Sequence, residues 1–332
     1  MSRLTQTLIP RSQRQPVDAL NDALDLGYGD TVGKRTGFLI MLTLAGMIAI
    51  AGVLTDSTAT VIGAMIIAPL GTPILGIALG IVTGHLSLVL RSIMWVLIGL
   101  VIVIVLGLIF AVFVATPESL ATNSQVVGRT SPSLMDLVAA LATGLAGGFA
   151  MCRKDLSAVL PGVAISISLV PPLGVVGVCA GQGQWEDAFG ALVLFLSNVV
   201  ALVIAGSIVF TMGGYARDPG SSPSANRRRA YTVVTVLALI VAIPLAANSI
   251  VSVAFARWSV TVQQETVRWL ADVPGARVYN ADWDGLSLTL NVTTEDGKLP
   301  PIDALQKQLS TAVPSFIGVV IDAGQAVEYV VR

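Results

Sequence analysis

The chain has 332 residues, 54% of them hydrophobic and only 12% charged, with a net charge of −1 at pH 7 and a mean hydropathy of +0.82. A soluble domain carries about 25% charged residues, so lipid has to cover much of this surface. The absence of a basic excess excludes a general nucleic-acid-binding protein.

Residues 1–35 hold Arg3, Arg11, Arg14, Lys34 and Arg35 and no long apolar run, which excludes a secretory signal. They read as a cytosolic N-terminal segment, with Val17–Leu26 amphipathic and able to rest on a membrane surface. Crossing a bilayer takes about 20 apolar residues in a helix. Runs of that kind are Gly37–Leu54, Thr58–Thr83, Ser92–Ala115, Leu134–Met151, Leu156–Ala180, Asp187–Met212 and Ala230–Ala256. The expected organisation is a first three-helix membrane half (36–115), an outer loop (116–133) and a second half (134–212). A basic cytosolic linker (213–229), a seventh transmembrane helix (230–257) and a soluble α/β domain (258–332) follow.

The Lys/Arg balance of the short loops sets the orientation. With the N-terminus inside, Arg91, Arg153, Lys154, Arg217, Arg227, Arg228 and Arg229 join the basic residues of the N-terminal segment on the cytosolic side, against Arg129 alone outside. The reading is a multi-pass protein of the inner (plasma) membrane with its C-terminal domain extracytoplasmic. Beyond residue 258 the period changes. Val260–Leu270 reads as a helix stopped by Pro274 and Gly275, and Arg277–Asn280 and Leu286–Val292 flank a turn at Asp284-Gly285. A helix from Pro301 to Ala312 and strands around Phe316–Ile321 and Ala326–Val331 complete an αββαββ order, a small sandwich of helices on one sheet.

Two spans are broken by proline. The second holds Pro69, Gly71 and Pro73, and the fifth holds Pro161, Pro171, Pro172 and Gly174. A proline inside a helix removes a hydrogen bond, and in lipid the freed carbonyls persist only where protein or a wet cavity surrounds them. Ala68-Pro69-Leu70-Gly71 aligns with Pro171-Pro172-Leu173-Gly174, and Asp56-Ser57-Thr58-Ala59 with Asp155-Leu156-Ser157-Ala158. Spans 1–3 and 4–6 then form a 3+3 inverted repeat, the arrangement of many secondary transporters. The fold class expected is an all-α polytopic membrane protein with about seven transmembrane helices, two of them Pro-broken, plus the αββαββ domain.

The stretches IGAMIIAPLGTPILG (Ile62–Gly76) and LPGVAISISLVPPLGVVG (Leu160–Gly177) resemble the bacterial and archaeal uncharacterised hydrophobic-domain family, domain of unknown function 389, over roughly residues 36–212. The resemblance implies a membrane location and no particular chemistry. Members often carry a soluble domain ahead of the membrane core, whereas here the domain follows it.

The candidate pathway for a small solute or ion takes Pro69, Gly71, Thr72 and Pro73 from the second span, Ser166, Ser168, Pro171, Pro172 and Gly174 from the fifth, and Asn198 from the sixth. The serines and threonine can equally bond back to their own helices, and Asn198 can serve as helix–helix glue. Asp56 and Asp155, expected at opposite faces, are either caps of the helices that follow them or gates. No charge falls mid-span, which argues against a proton pump or a voltage sensor. His85 with Cys152 and Cys179 makes no metal set, no cofactor is expected, and no nucleophile or P-loop motif points to an enzyme. Two functions stay open: a transporter or channel-like permease, or a non-transporting scaffold or sensor acting through its C-terminal domain. Expected partners are the lipid bilayer, the solute and, through small-residue faces and sheet edges, further copies of the chain in a homo-oligomer.

Overall fold

A computed structural model describes residues 9–10, 12–114, 118–130, 134–156, 169–217, 257–271, 273–284, 287–294 and 299–325, with isolated helical residues between 232 and 255. The chain forms two compact units, Met1–Asn248 and Ser249–Arg332.

In the first unit α1 (Val17–Leu24) precedes α2 (Thr31–Leu54), α3 (Thr58–Ile67), α4 (Gly71–Thr83) and α5 (Leu86–Phe110). Short helices α6 (Glu118–Ala121) and α7 (Ser124–Thr130) lead to α8 (Leu134–Cys152), α9 (Val170–Gly181) and α10 (Trp185–Met212). Among the described residues, four helices are long and apolar enough to cross a membrane: Thr31–Leu54, Leu86–Phe113, Met135–Cys152 and Trp185–Met212. They answer to the first, third, fourth and sixth apolar runs. The second run is the pair α3–α4, bent by 48°. Of the fifth run α9 is the helix described, and of the seventh only isolated helical residues are described.

Two helices start earlier than their apolar runs. Asp30 caps α2 by accepting from the Gly33 amide at 3.0 Å, so the helix starts at Thr31 rather than Gly37. The α5 helix starts at Leu86, which puts Arg91 in the helix rather than in a loop. Arg91 tolerates that place because Asp25 pairs with it at 2.9 Å.

Helix α4 is buried along nearly its whole length. It packs against α5 and α10, while α9 packs against α5, α10 and α2; α8 lies along α10. Glycines set the closest approaches. A Cβ at Gly107 of α5 would sit 2.7 Å from the Gly174 carbonyl oxygen, and one at Gly177 would meet the Ile104 carbonyl and lie 2.7 Å from the Gly107 Cα. Small residues let helix backbones approach in this way.

Among the described residues, the second unit is built around a three-stranded sheet ordered β1 (Arg277–Asp284), β2 (Ser287–Thr294), β3 (Gly318–Gln325). The first two strands form an antiparallel hairpin; β3 lies parallel to β2, so the chain crosses over through α12 (Ile302–Ala312), which follows a helix, α11, at 257–269. Leu288, Leu290 and Val292 alternate inward and meet Val262, Leu270, Leu305 and Leu309 of the helices. The expected fourth strand, Ala326–Val331, lies outside the described residues.

Candidate functional site

The break in the second run follows from local sequence. Pro69 disfavours the helical region for its predecessor, and Ala68 is extended at φ −71°, ψ 125°. Leu70 returns to helical angles, and the Thr72 amide donates to the Pro69 carbonyl at 3.2 Å to start α4. Gly71 is therefore the first residue of α4, with Thr72 and Pro73 in its first turn. An amide missing there would have had no helical partner in any case. Pro69 and Thr72 are half-buried, while Gly71 and Pro73 are buried.

Pro171 and Pro172 occupy the first turn of α9 in the same way, both buried. Gly174 follows one turn on, where a Cβ would lie 2.8 Å from Cγ1 of Ile50 on α2. Ser166 and Ser168 lie outside the described residues. Asn198 is buried within α10.

Helix α5 measures where the two half-helices stand. Leu70, just before α4, reaches Gly99, where a Cβ would lie 2.6 Å from the leucine Cδ2; Gly80, near the other end of α4, packs on Val89. Thus α4 runs antiparallel to α5, away from its middle. Gly174 of α9 meets Gly107, and Gly181 meets Ala111, so α9 runs parallel to α5, toward its far end. Val103, between Gly99 and Gly107, shares one core with Leu70, Val170 and Leu173. Gly99 and Gly107 are eight residues, or about 12 Å, apart. The N-terminal end of α4 thus stands against the middle of α5 and the first turns of α9 lie farther along it, and the two helices run in opposite directions. Neither helix contains Asp, Glu, Lys or Arg.

The two aspartates stand at opposite ends of this bundle. Asp56 does not cap α3: Ser57 does, its hydroxyl accepting from the Thr60 amide at 3.4 Å. Asp56 instead takes a left-handed backbone angle, φ 51°, and its Oδ1 accepts from the Ser124 hydroxyl at 2.6 Å and the Gln125 amide at 3.2 Å. The Ser124 bond is the main cause that holds this carboxyl below its usual 3.8. The Asn123 amide group donates to the Val53 carbonyl at 2.8 Å, and Gln125 donates to the Thr58 hydroxyl at 2.8 Å. This clamp ties α7 to the α2–α3 turn. Asp155 sits at the other end, paired with Arg153 at 2.6 Å, which lowers its pKa as well.

Sequence reading found no role for Asp25, Asn123, Gln125 or Tyr215, and none for Arg14 beyond its charge. Asn123-Ser124 before an amphipathic turn is a capping signal that could have pointed to the clamp. Arg14 and Tyr215 are 201 residues apart, and no local pattern announces their contact.

Residues 65–204 match the family model described as a domain of unknown function (DUF389), a span that takes in the break at Pro69, all of α9 and Asn198. The resemblance carried by the two proline motifs is borne out there. An uncharacterised protein of Methanocaldococcus jannaschii is 34% identical over 199 residues, 60% of this chain, and the match spans about 60% of that relative's length. No solved structure matches the chain.

Proposed function

We propose that this chain, whose residues 65–204 carry the domain of unknown function 389, is a membrane transporter or channel-like permease for a small solute. The observation that carries the reading is the pair of half-helices, α4 and α9, that both pack on α5 and run in opposite directions along it. The crosswise packing supports an inverted repeat of two three-helix halves: α4 of the first half lies on α10 of the second, and α9 of the second lies on α5 of the first. Paired discontinuous helices near mid-membrane bind solutes in many secondary transporters.

The unwound backbone at Ala68–Leu70 and the N-terminal ends of α4 and α9 supply the contacts, with Thr72 and Asn198 as the side chains that line the path. Each N-terminus is the positive end of a helix dipole, so a solute carrying negative charge suits the site. The solute enters and leaves as one half rocks against the other, the end near Asp155 facing the cytosol and the end near Asp56 facing outward. No bond is made or broken in this scheme, so the protein is not an enzyme. The membrane is the plasma membrane, and the C-terminal domain lies outside, where it serves assembly or partner binding.

Protein reconstituted in liposomes tests this with a panel of labelled inorganic and small organic anions and a neutral sugar as control. Pro69→Ala combined with Pro172→Ala should abolish uptake of whichever anion the wild-type protein carries, while elution volume and helical content stay unchanged. Unaltered flux in that double variant would sink the proposal.

A further inference from the structure

The N-terminal segment is fastened at both of its ends. Upstream of α1, residues 13–15 pair with the turn that follows α8: the Gln15 amide donates to the Cys152 carbonyl at 2.9 Å, and the Lys154 amide donates to the Gln13 carbonyl at 2.8 Å. Arg14 donates through Nε to the Gly213 carbonyl at 2.8 Å and lies 4.1 Å above the ring of Tyr215. The Tyr215 hydroxyl donates to the Gln15 carbonyl at 2.9 Å, and that tyrosine is fully buried. These partners end α8 and α10, in the second half.

From Asp22, in the last turn of α1, onward the attachments belong to the first half. Asp25 is 6% exposed; its Oδ2 accepts from Arg91 of α5 at 2.9 Å and its Oδ1 from the Gly27 amide at 2.7 Å. Arg35 of α2 donates to the Leu26 carbonyl at 3.2 Å, and Lys34 pairs with Asp22 at 2.6 Å. The Leu24 carbonyl lies against α4 at Gly76, where a Cβ would come within 2.8 Å of it. Between the two sets of anchors stands α1, eight residues whose Leu20 and Leu24 are buried in the main core. A helix of that length is a stiff spacer of about 12 Å. Pro16 fixes its upstream junction, and Asp25 begins its downstream anchor, so neither end has slack.

We propose that residues 13–27 form a strap that holds the two halves together at the end of the bundle near Asp155 and keeps that end closed. This rests on the reading of two halves that move against each other. Parting them by more than a few ångströms stretches a chain that cannot lengthen, so one anchor has to let go first. The upstream anchor is the weaker one, because it is made largely of hydrogen bonds between backbone groups and Arg14, whereas the downstream anchor adds a nearly buried carboxylate. The strap therefore sets the equilibrium between closed and open states, and a change in its fastening changes access without touching the half-helices.

The test uses spin labels at Leu86→Cys and Met212→Cys, both exposed and one in each half, with Cys152 and Cys179 replaced by Ala. Pulsed dipolar distance measurements in liposomes are compared with uptake of the same anion panel. Arg14→Ala with Tyr215→Phe frees the upstream anchor; Asp25→Asn weakens the downstream one. Each change should add a longer-distance population, with the open share rising roughly tenfold for two hydrogen bonds lost, and should speed uptake. Faster exchange of the Gln15 amide with distances unchanged in both variants overturns the strap, whether or not anions flow. If distances lengthen and no anion crosses in any variant, the strap holds as a restraint on motion and the transport reading fails. If anions cross at the wild-type rate while distances lengthen, the strap does not govern access and the proposal is wrong.

Discussion

Replacing Gly177 with alanine tests the crossing of α5 and α9 on which the placement of the half-helices depends. The added methyl would meet the Ile104 carbonyl and lie 2.7 Å from the Gly107 Cα and 2.9 Å from the Leu108 amide nitrogen. All three are backbone atoms of a helix, so no side chain can swing aside; the helices must separate. Overpacking costs about 1–3 kcal/mol, and rigid obstacles put this case at the upper end. Alanine returns about 1 kcal/mol of helix propensity over glycine, which leaves a net loss of about 2 kcal/mol. For a unit of this size that lowers the melting temperature by roughly 4–8 °C. Gly63 of α3 is the internal control, because nothing lies within 4 Å of a Cβ there. Gly63→Ala should melt at or slightly above the wild-type temperature. Thermal unfolding in detergent, followed by intrinsic fluorescence, reads both. If Gly177→Ala melts with Gly63→Ala, the close crossing is wrong and the placement of α9 along α5 fails with it.

Three further outcomes follow from the contacts. The Asp56 carboxyl has its pKa lowered by Ser124 and Gln125, so the clamp on α7 is in force above the unfolded value and is lost as the pH falls below about 3.8. Protection of the α7 amides, taken relative to the unfolded chain at each pH, should fall over that range in the wild-type protein and show no such pH step in Asp56→Asn. Ser57→Ala removes the cap of α3 and should cost about 1 kcal/mol, seen as a small fall in melting temperature; no change would mean that another group holds the Thr60 amide. In the second unit, Leu290→Ala empties a fully buried position and should cost about 2–5 kcal/mol, exposing residues 258–332 to protease, whereas Tyr279→Ala at an exposed position should not.

The apolar runs made the long helices legible, because a bilayer-crossing helix needs little beyond length and hydropathy. The proline motifs made the break legible for a local reason: Pro69 acts on Ala68, its neighbour. Legibility ended where a residue's role depends on distant chain. Asp56 stands directly before a helix and has the side chain of a cap, yet Ser57 takes that place and Asp56 turns to Ser124, 68 residues on. The start of α5 was misread because Arg91 looks like a loop residue until Asp25 supplies its counter-charge. In the second unit the alternation of Leu288, Leu290 and Val292 foretold which face is buried. The parallel pairing of β2 with β3 depends instead on the crossover through α12.

Helices α4 and α9 run in opposite directions along α5, and each carries a dipole equivalent to roughly half a unit charge at its start. Along the bundle axis the dipoles of this pair oppose, so the pair by itself favours neither end. On the proposed reading of two transporting halves, a preference for inward or outward flow would come from parts the halves do not share, the N-terminal segment at one end and the α6–α7 loop at the other. On that reading rectification is a property of those appendages, open to retuning in either direction while Pro69 and Pro172 stay as they are.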